Sequence, residues 1–146
     1  MKKLNDIESA WLGALIEGEG SIQLCRNRRN YGQKVYYYPQ IAISNTEVET
    51  IATCLRFCGE GNVFLRKAYH SEFNARKLQW VFSMAGWKRC IPVLESIAPY
   101  LTGKQDRALG ILEQNKNRPL IEKELMPRGN KGIGAQREEV YKNGVL

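Results

Sequence analysis

Leu12-Gly13-Ala14-Leu15-Ile16-Glu17-Gly18-Glu19-Gly20 is the stretch on which the fold turns. Leu12, Leu15 and Ile16 recur at helical spacing and Asn5 or Asp6 can cap the segment, which predicts a helix from about Ile7 to Glu17. A second stripe on this helix is nearly free of bulk. Ala10, Gly13, Ala14 and Glu17 stand at i, i+3, i+4 and i+7, so one face carries almost no side chain and ends in a carboxylate. Glycine inside a helix costs up to about 1 kcal/mol relative to alanine, a cost that makes sense where another backbone comes close. Glu19 then places an acid at the end of the helix, where the dipole disfavours it.

Downstream the period changes from helix to strand. Strands are predicted from Ser21 to about Arg26 and from about Lys34 to Ile43, the second with Val35, Tyr37, Ile41 and Ile43 on one side and Lys34, Tyr36, Tyr38, Gln40 and Ala42 on the other. Pro39 argues for an edge or a bulge. Ser44-Asn45-Thr46 caps a helix to about Phe57, and Gly59-Glu60-Gly61 ends it. A third strand runs from Asn62 to Tyr69, with Val63 and Leu65 inward and Asn62, Phe64 and Arg66 outward. A fourth covers about Leu78 to Ala85, with Leu78, Trp80, Phe82 and Met84 inward and Gln79, Val81 and Ser83 outward. Helices over about Trp87 to Leu101, delayed or kinked by Pro92, and Lys104 to Asn115 complete the order αββαββαα. Residues 1–116 read as one domain. Residues 117–146, rich in Gly, Pro and charge, read as a weakly ordered tail with short helices at most.

The chain has 22 basic and 15 acidic residues, a net charge of +7, and the excess is concentrated. Between Ser21 and Ser44, Arg26, Arg28, Arg29 and Lys34 face no acid; between Gly61 and Ala85, Arg66, Lys67, Arg76 and Lys77 face only Glu72. Both windows fall on the predicted strand pairs, which points to a polyanionic partner. No stretch approaches the roughly 20 apolar residues of a membrane helix, and the start lacks a secretory apolar run. A cytosolic, nuclear or organellar protein is expected. Cys25, Cys54, Cys58 and Cys90 form no CxxC pair and His70 is the only histidine, so buried free thiols are expected rather than zinc.

The nine residues from Leu12 to Gly20 resemble the motif for which the LAGLIDADG homing endonucleases are named: Gly and Ala are exchanged, Leu-Ile is kept, Glu replaces each Asp, and the final Gly is kept. Ser44-Asn45-Thr46 and Pro99-Tyr100-Leu101-Thr102-Gly103-Lys104 also resemble family landmarks, and the likeness covers about Leu4 to Asn115. The resemblance implies an α+β αββαββα fold, with a saddle-shaped antiparallel sheet carrying DNA on its concave face and helices on its convex face. It implies metal-dependent hydrolysis of both strands at a long pseudo-palindromic site, leaving staggered ends. Glu19 is the implied metal ligand, for Mg²⁺ or Mn²⁺, with the Gly18 carbonyl beside it; Lys104 is the implied base near the scissile phosphate, and Asn45 orders water or caps its helix. An RNA maturase and a non-cleaving DNA-binding regulator are the alternative functions on the same scaffold, with RNA the lesser partner.

One motif and no internal repeat amount to half of the machinery for a double-strand break, so a homodimer is expected. The stripe Ala10, Gly13, Ala14 and Glu17 is the expected interface, with Glu17 capping the partner helix. A β-ribbon fits the major groove. Strand alternation nominates Gln23, Lys34, Tyr36, Tyr38, Gln40, Asn62, Arg66 and Gln79 as DNA contacts, with Arg28 and Arg29 between the strands.

Overall fold

A computed structural model describes residues 3–28, 35–66 and 78–125, without the side chains of 27, 28, 35, 36 and 119–125. Arg29 and Lys34, and the side chains of Arg28 and Tyr36, therefore lie outside the described residues, as does the chain after 125.

The elements run α1 (Asp6–Glu19), β1 (Gly20–Arg28), β2 (Val35–Asn45), α2 (Val48–Cys58), β3 (Asn62–Arg66), β4 (Gln79–Ala85), α3 (Trp87–Ile97), a 3₁₀ turn (Ala98–Tyr100) and α4 (Gln105–Leu125). The sheet is antiparallel in the order β1-β2-β4-β3. The expected α+β architecture is observed. Asn5 caps α1 through a capping box with Glu8, which is why the helix starts where the sequence places it.

All four helices pack on one face of the sheet. There Ile22, Ile41, Ile43, Phe82 and Met84 meet Leu12, Ile16, Ile51, Leu94 and Ile97 in a single core. The opposite face carries Gln23, Cys25, Gln40, Ser44, Ser83, Asn62, Arg66 and Gln79 and, among the described residues, no helix. Alternation along the strands decides which residues face the helices, and that decision leaves one broad polar surface bare.

Four details depart from the sequence reading. Val63 and Leu65 point inward in sequence but stay 37% and 46% exposed, because β3 is the edge strand and α2 covers its margin thinly; Leu78 precedes β4 and is exposed. Val81 and Ser83 are buried although they lie on the polar face, under the side chains that cross them. Helix α2 starts at Val48, and its N-cap position, Glu47, makes no side-chain cap. Helix α4 continues past the boundary expected at 116: Arg118 stacks 4.2 Å over the Trp87 ring and bonds Asn115, ties that carry the helix onward. Among the described residues, no helix is long and apolar enough to cross a membrane.

Candidate functional site

The end of α1 and the start of α4 hold each other by exchanged caps. The Glu17 carboxylate accepts from the backbone N–H of Thr102 (3.2 Å), Gly103 (2.7 Å) and Lys104 (3.3 Å), the amides that open α4. In return the Lys104 ammonium donates to the carbonyls of Ile16 (2.7 Å), Glu17 (2.8 Å) and Gly20 (2.8 Å), which end α1. Each charge lies at the helix end where the dipole favours it. Burial pushes the Glu17 carboxyl up, but hydrogen bonds from Thr102, Lys104 and Gly103 outweigh it and hold the group below its ordinary range.

This clasp revises two expectations. An ammonium has three donors, and all three of Lys104's are spent on backbone, so the structure makes it a residue that positions the helix end rather than one aimed at a phosphate. Glu17 caps a helix of its own chain, not of a partner. Gly13 likewise serves the chain itself: a Cβ there would lie 3.0 Å from Tyr100 Cβ and 3.4 Å from the Ile97 carbonyl. Ala10 is half-buried on the same flank. The close approach that the stripe announced is therefore to α3 and the turn after it. Of the four interface candidates only Ala14 is exposed. It belongs to a different stripe, Ile7, Trp11, Ala14 and Gly18, which faces solvent, with Ile7 82% exposed and Trp11 leaning edge-on against Phe57.

Glu19 differs from its neighbour Glu17. It is exposed, and its carboxylate accepts one bond, from Asn45 Nδ2 at 2.6 Å. The Asn45 Oδ1 meanwhile accepts from the Glu47 N–H at 2.8 Å, so one amide both shapes the entry to α2 and orients Glu19. The Lys104 ammonium bonds the carbonyls of Ile16, Glu17 and Gly20 but not that of Gly18, and nothing lies within 4 Å of a Cβ built on Gly18. Gly20 has no such freedom. A Cβ there would fall 2.8 Å from Ile16 Cα and 3.2 Å from the Ala42 carbonyl, so the last residue of the motif must be glycine for the chain to turn from helix to strand against β2.

The Glu19 carboxylate and Gly18 carbonyl are oxygen donors on an open surface, the ligand type and access that a hard divalent cation needs. Among the described residues no group of three or more His, Cys, Asp and Glu is assembled.

Strands β1 and β2 lead away from Glu19 across the polar face. Gln23 and Asn62 are exposed there, while Tyr38 and Gln40 are half-buried. Gln40 accepts from Cys25 Sγ (3.1 Å) and donates to Ser83 Oγ (3.4 Å); Arg66 donates to Ser44 Oγ and Gln79 Oε1, both at 3.2 Å. The described DNA-contact candidates thus share one surface. Ser44, Cys25, Ser83 and Phe64 join them, and strand parity was the signal that could have nominated them. Cys25 is not a core thiol, whereas burial pushes Cys54, Cys58 and Cys90 up to about 12, as the reading of inert buried cysteines requires. Arg107 anchors β1 to α4 through the Ile22 carbonyl (3.3 Å).

No protein-family model matches the chain, and no curated protein does. Solved structures do. The homing endonuclease I-CvuI, solved with a DNA target and Mg with the DNA not cleaved, is 22% identical with a TM-score of 0.62, over 96% of each chain. An archaeal intron-encoded homing endonuclease complexed with DNA is 16% identical with a TM-score of 0.60, over 94% of this chain and 84% of that one. The LAGLIDADG meganuclease I-CpaMI, bound to uncleaved DNA, is 16% identical with a TM-score of 0.55, over 92% of this chain but 50% of its own. The fold is that of the LAGLIDADG homing endonucleases.

Proposed function

We propose that this chain is a site-specific, divalent-metal-dependent endonuclease that cuts both strands of DNA as a homodimer. The observation that carries the reading is Glu19: an acid at a helix end, exposed, oriented by Asn45 and set at the rim of a helix-free polar sheet face. Structural need does not account for it, since the dipole disfavours a carboxylate there and Glu17 already does the capping. The neighbouring structures hold DNA, and one was solved with Mg, which supports the same assignment.

Glu19 and the Gly18 carbonyl would hold Mg²⁺ or Mn²⁺. Such an ion, when bound, neutralises phosphate charge and lowers the pKa of a water. The protein's part is placement. Lys104 and Glu17 fix the helix end, Asn45 fixes the carboxylate, and the sheet fixes the duplex. At about 3.4 Å per residue the nine residues of β1 reach about 31 Å from Glu19, about nine base-pair steps along the groove. One copy therefore reads one half of a long site. The second copy packs through Ile7, Trp11, Ala14 and Gly18, the solvent stripe of α1, which brings two Glu19 residues toward neighbouring scissile phosphates; I-CpaMI, of which this chain spans half, supports a two-unit nuclease.

A cleavage screen of randomised duplexes in Mg²⁺ tests the proposal. It should return one near-palindromic consensus cut on both strands, by a protein that sediments as a dimer. Nicking indifferent to metal, or a monomer both free and on DNA, would sink it.

A further inference from the structure

Within the described part of the polar face lies a large apolar spot that neither the core nor the clasp explains. Phe64, on β3, stands opposite Val81 on β4, which stands opposite Ser44 on β2. Val81 is only 3% exposed while its strand partner Phe64 is 47% exposed, so the valine is covered and the phenylalanine is the open part of this pad. Arg66 bonds Gln79 on β4 and reaches across Val81 to Ser44 on β2, which covers the valine and bounds the open Phe64 on one side. Asn62 and Ser83, paired one row on, flank it on the other. A ring left open among amides, hydroxyls and a guanidinium is shaped for a surface that is polar with one apolar group.

The major groove is such a surface: base edges offer hydrogen-bonding atoms throughout, and the C5 methyl of thymine is their apolar feature. We infer that Phe64, the open part of the pad, takes the C5 methyl of a thymine, making a T·A pair the preferred one at one symmetric pair of positions in the target. The inference rests on the DNA reading above and adds the identity of one base pair to it. Its place follows from the fold. The pad shares a row with Ser44, one residue from the Asn45 that holds Glu19, so the thymine lies in the inner part of each half-site, not at the distal β1–β2 end. Uracil differs from thymine by that methyl alone.

The test uses the full chain without divalent metal, so that the DNA stays whole. The consensus is first selected from randomised duplexes, and each symmetric pair of thymines is then replaced by uracil. One inner pair should weaken binding about fourfold per half-site, about fifteenfold for both, the worth of one buried methyl. Phe64→Ser should bind thymine and uracil duplexes alike at that pair, at the weaker wild-type level. Phe64→Leu, which keeps an apolar surface, should retain the preference. A consensus without an inner T·A pair, or a uracil effect that survives in Phe64→Ser, overturns the pad and leaves the nuclease reading standing. A flat uracil series, with Phe64→Ser converting dimer to monomer, overturns it in favour of a second copy seated on the ring. A pool that never converges overturns the DNA reading and the pad with it.

Discussion

Glu17 and Glu19 stand two residues apart on the same helix end, yet the chain uses them in opposite ways. Glu17 accepts three backbone N–H groups at the entry to α4 and has little left to offer, while Glu19 accepts one amide and keeps the rest of its surface open. The same contrast separates the two groups beside them: Lys104 spends all three donors on carbonyls, whereas Asn45 turns its amide toward the open acid. Polar capacity satisfied inside the chain builds the scaffold. Capacity left over is what a metal ion or a phosphate can use.

The strongest way to break this comparison is Glu19→Gln. Cleavage should fall by at least about 10²- to 10³-fold, the loss typical of removing one group that stabilises developing charge, with no change in Tm. Metal-free DNA affinity should persist or rise slightly, since one negative charge in each copy of the chain leaves the phosphates. Wild-type cutting by this variant would show that Glu19 is as structural as Glu17.

Lys104→Met probes the other side. Three charge-assisted bonds to the end of α1 vanish, and a loss of about 2 kcal/mol in stability should accompany slower cleavage, because Gly18 and Glu19 lose their support. A fall in kcat at unchanged Tm would return Lys104 to the chemistry.

Gly13 and Ala14 sharpen the comparison on the body of α1. Gly13→Ala should cost about 1 kcal/mol or more by crowding Tyr100 and Ile97 yet leave the proposed dimer intact, whereas Ala14→Arg should sediment as a monomer with its Tm nearly unchanged. The reverse pattern would restore the interface to the Gly13 flank.

The smallest effect concerns acid. The Glu17 carboxyl is depressed below its ordinary 4.5, so the unfolded chain takes up its proton first as pH falls. The clasp's contribution is complete above about pH 4.5 and is lost as pH drops through the lower, folded value. Glu17→Gln should therefore melt below wild type at pH 7, and the gap in Tm should close progressively under pH 4.5. A gap that persists unchanged at pH 3 would mean that the charge on Glu17 does not hold α4.

Much of this was legible before any coordinates. Leu12, Leu15 and Ile16 announce a helix because apolar residues at that spacing have only one way to be buried together, and the alternation in β2 sorts Ile41 and Ile43 from Gln40 for the same reason. The motif from Leu12 to Gly20, with its context, led to the fold and to Glu19. The low-bulk stripe is also real, but Gly13 in it packs against Tyr100 and Ile97 of its own chain; helical spacing reports that something comes close and not what it is.

The sequence by itself determined the order of elements, the faces of the strands and the presence of an acid at the end of α1, since these depend on residues near one another along the chain. Only the tertiary structure decided that Glu17 and Lys104, 87 residues apart, exhaust each other's helix ends, that Gly13 faces Tyr100, and that Arg66 crosses a strand to reach Ser44. Those facts depend on where hydrogen-bonding capacity is spent across long separations. Periodicity carries no record of it.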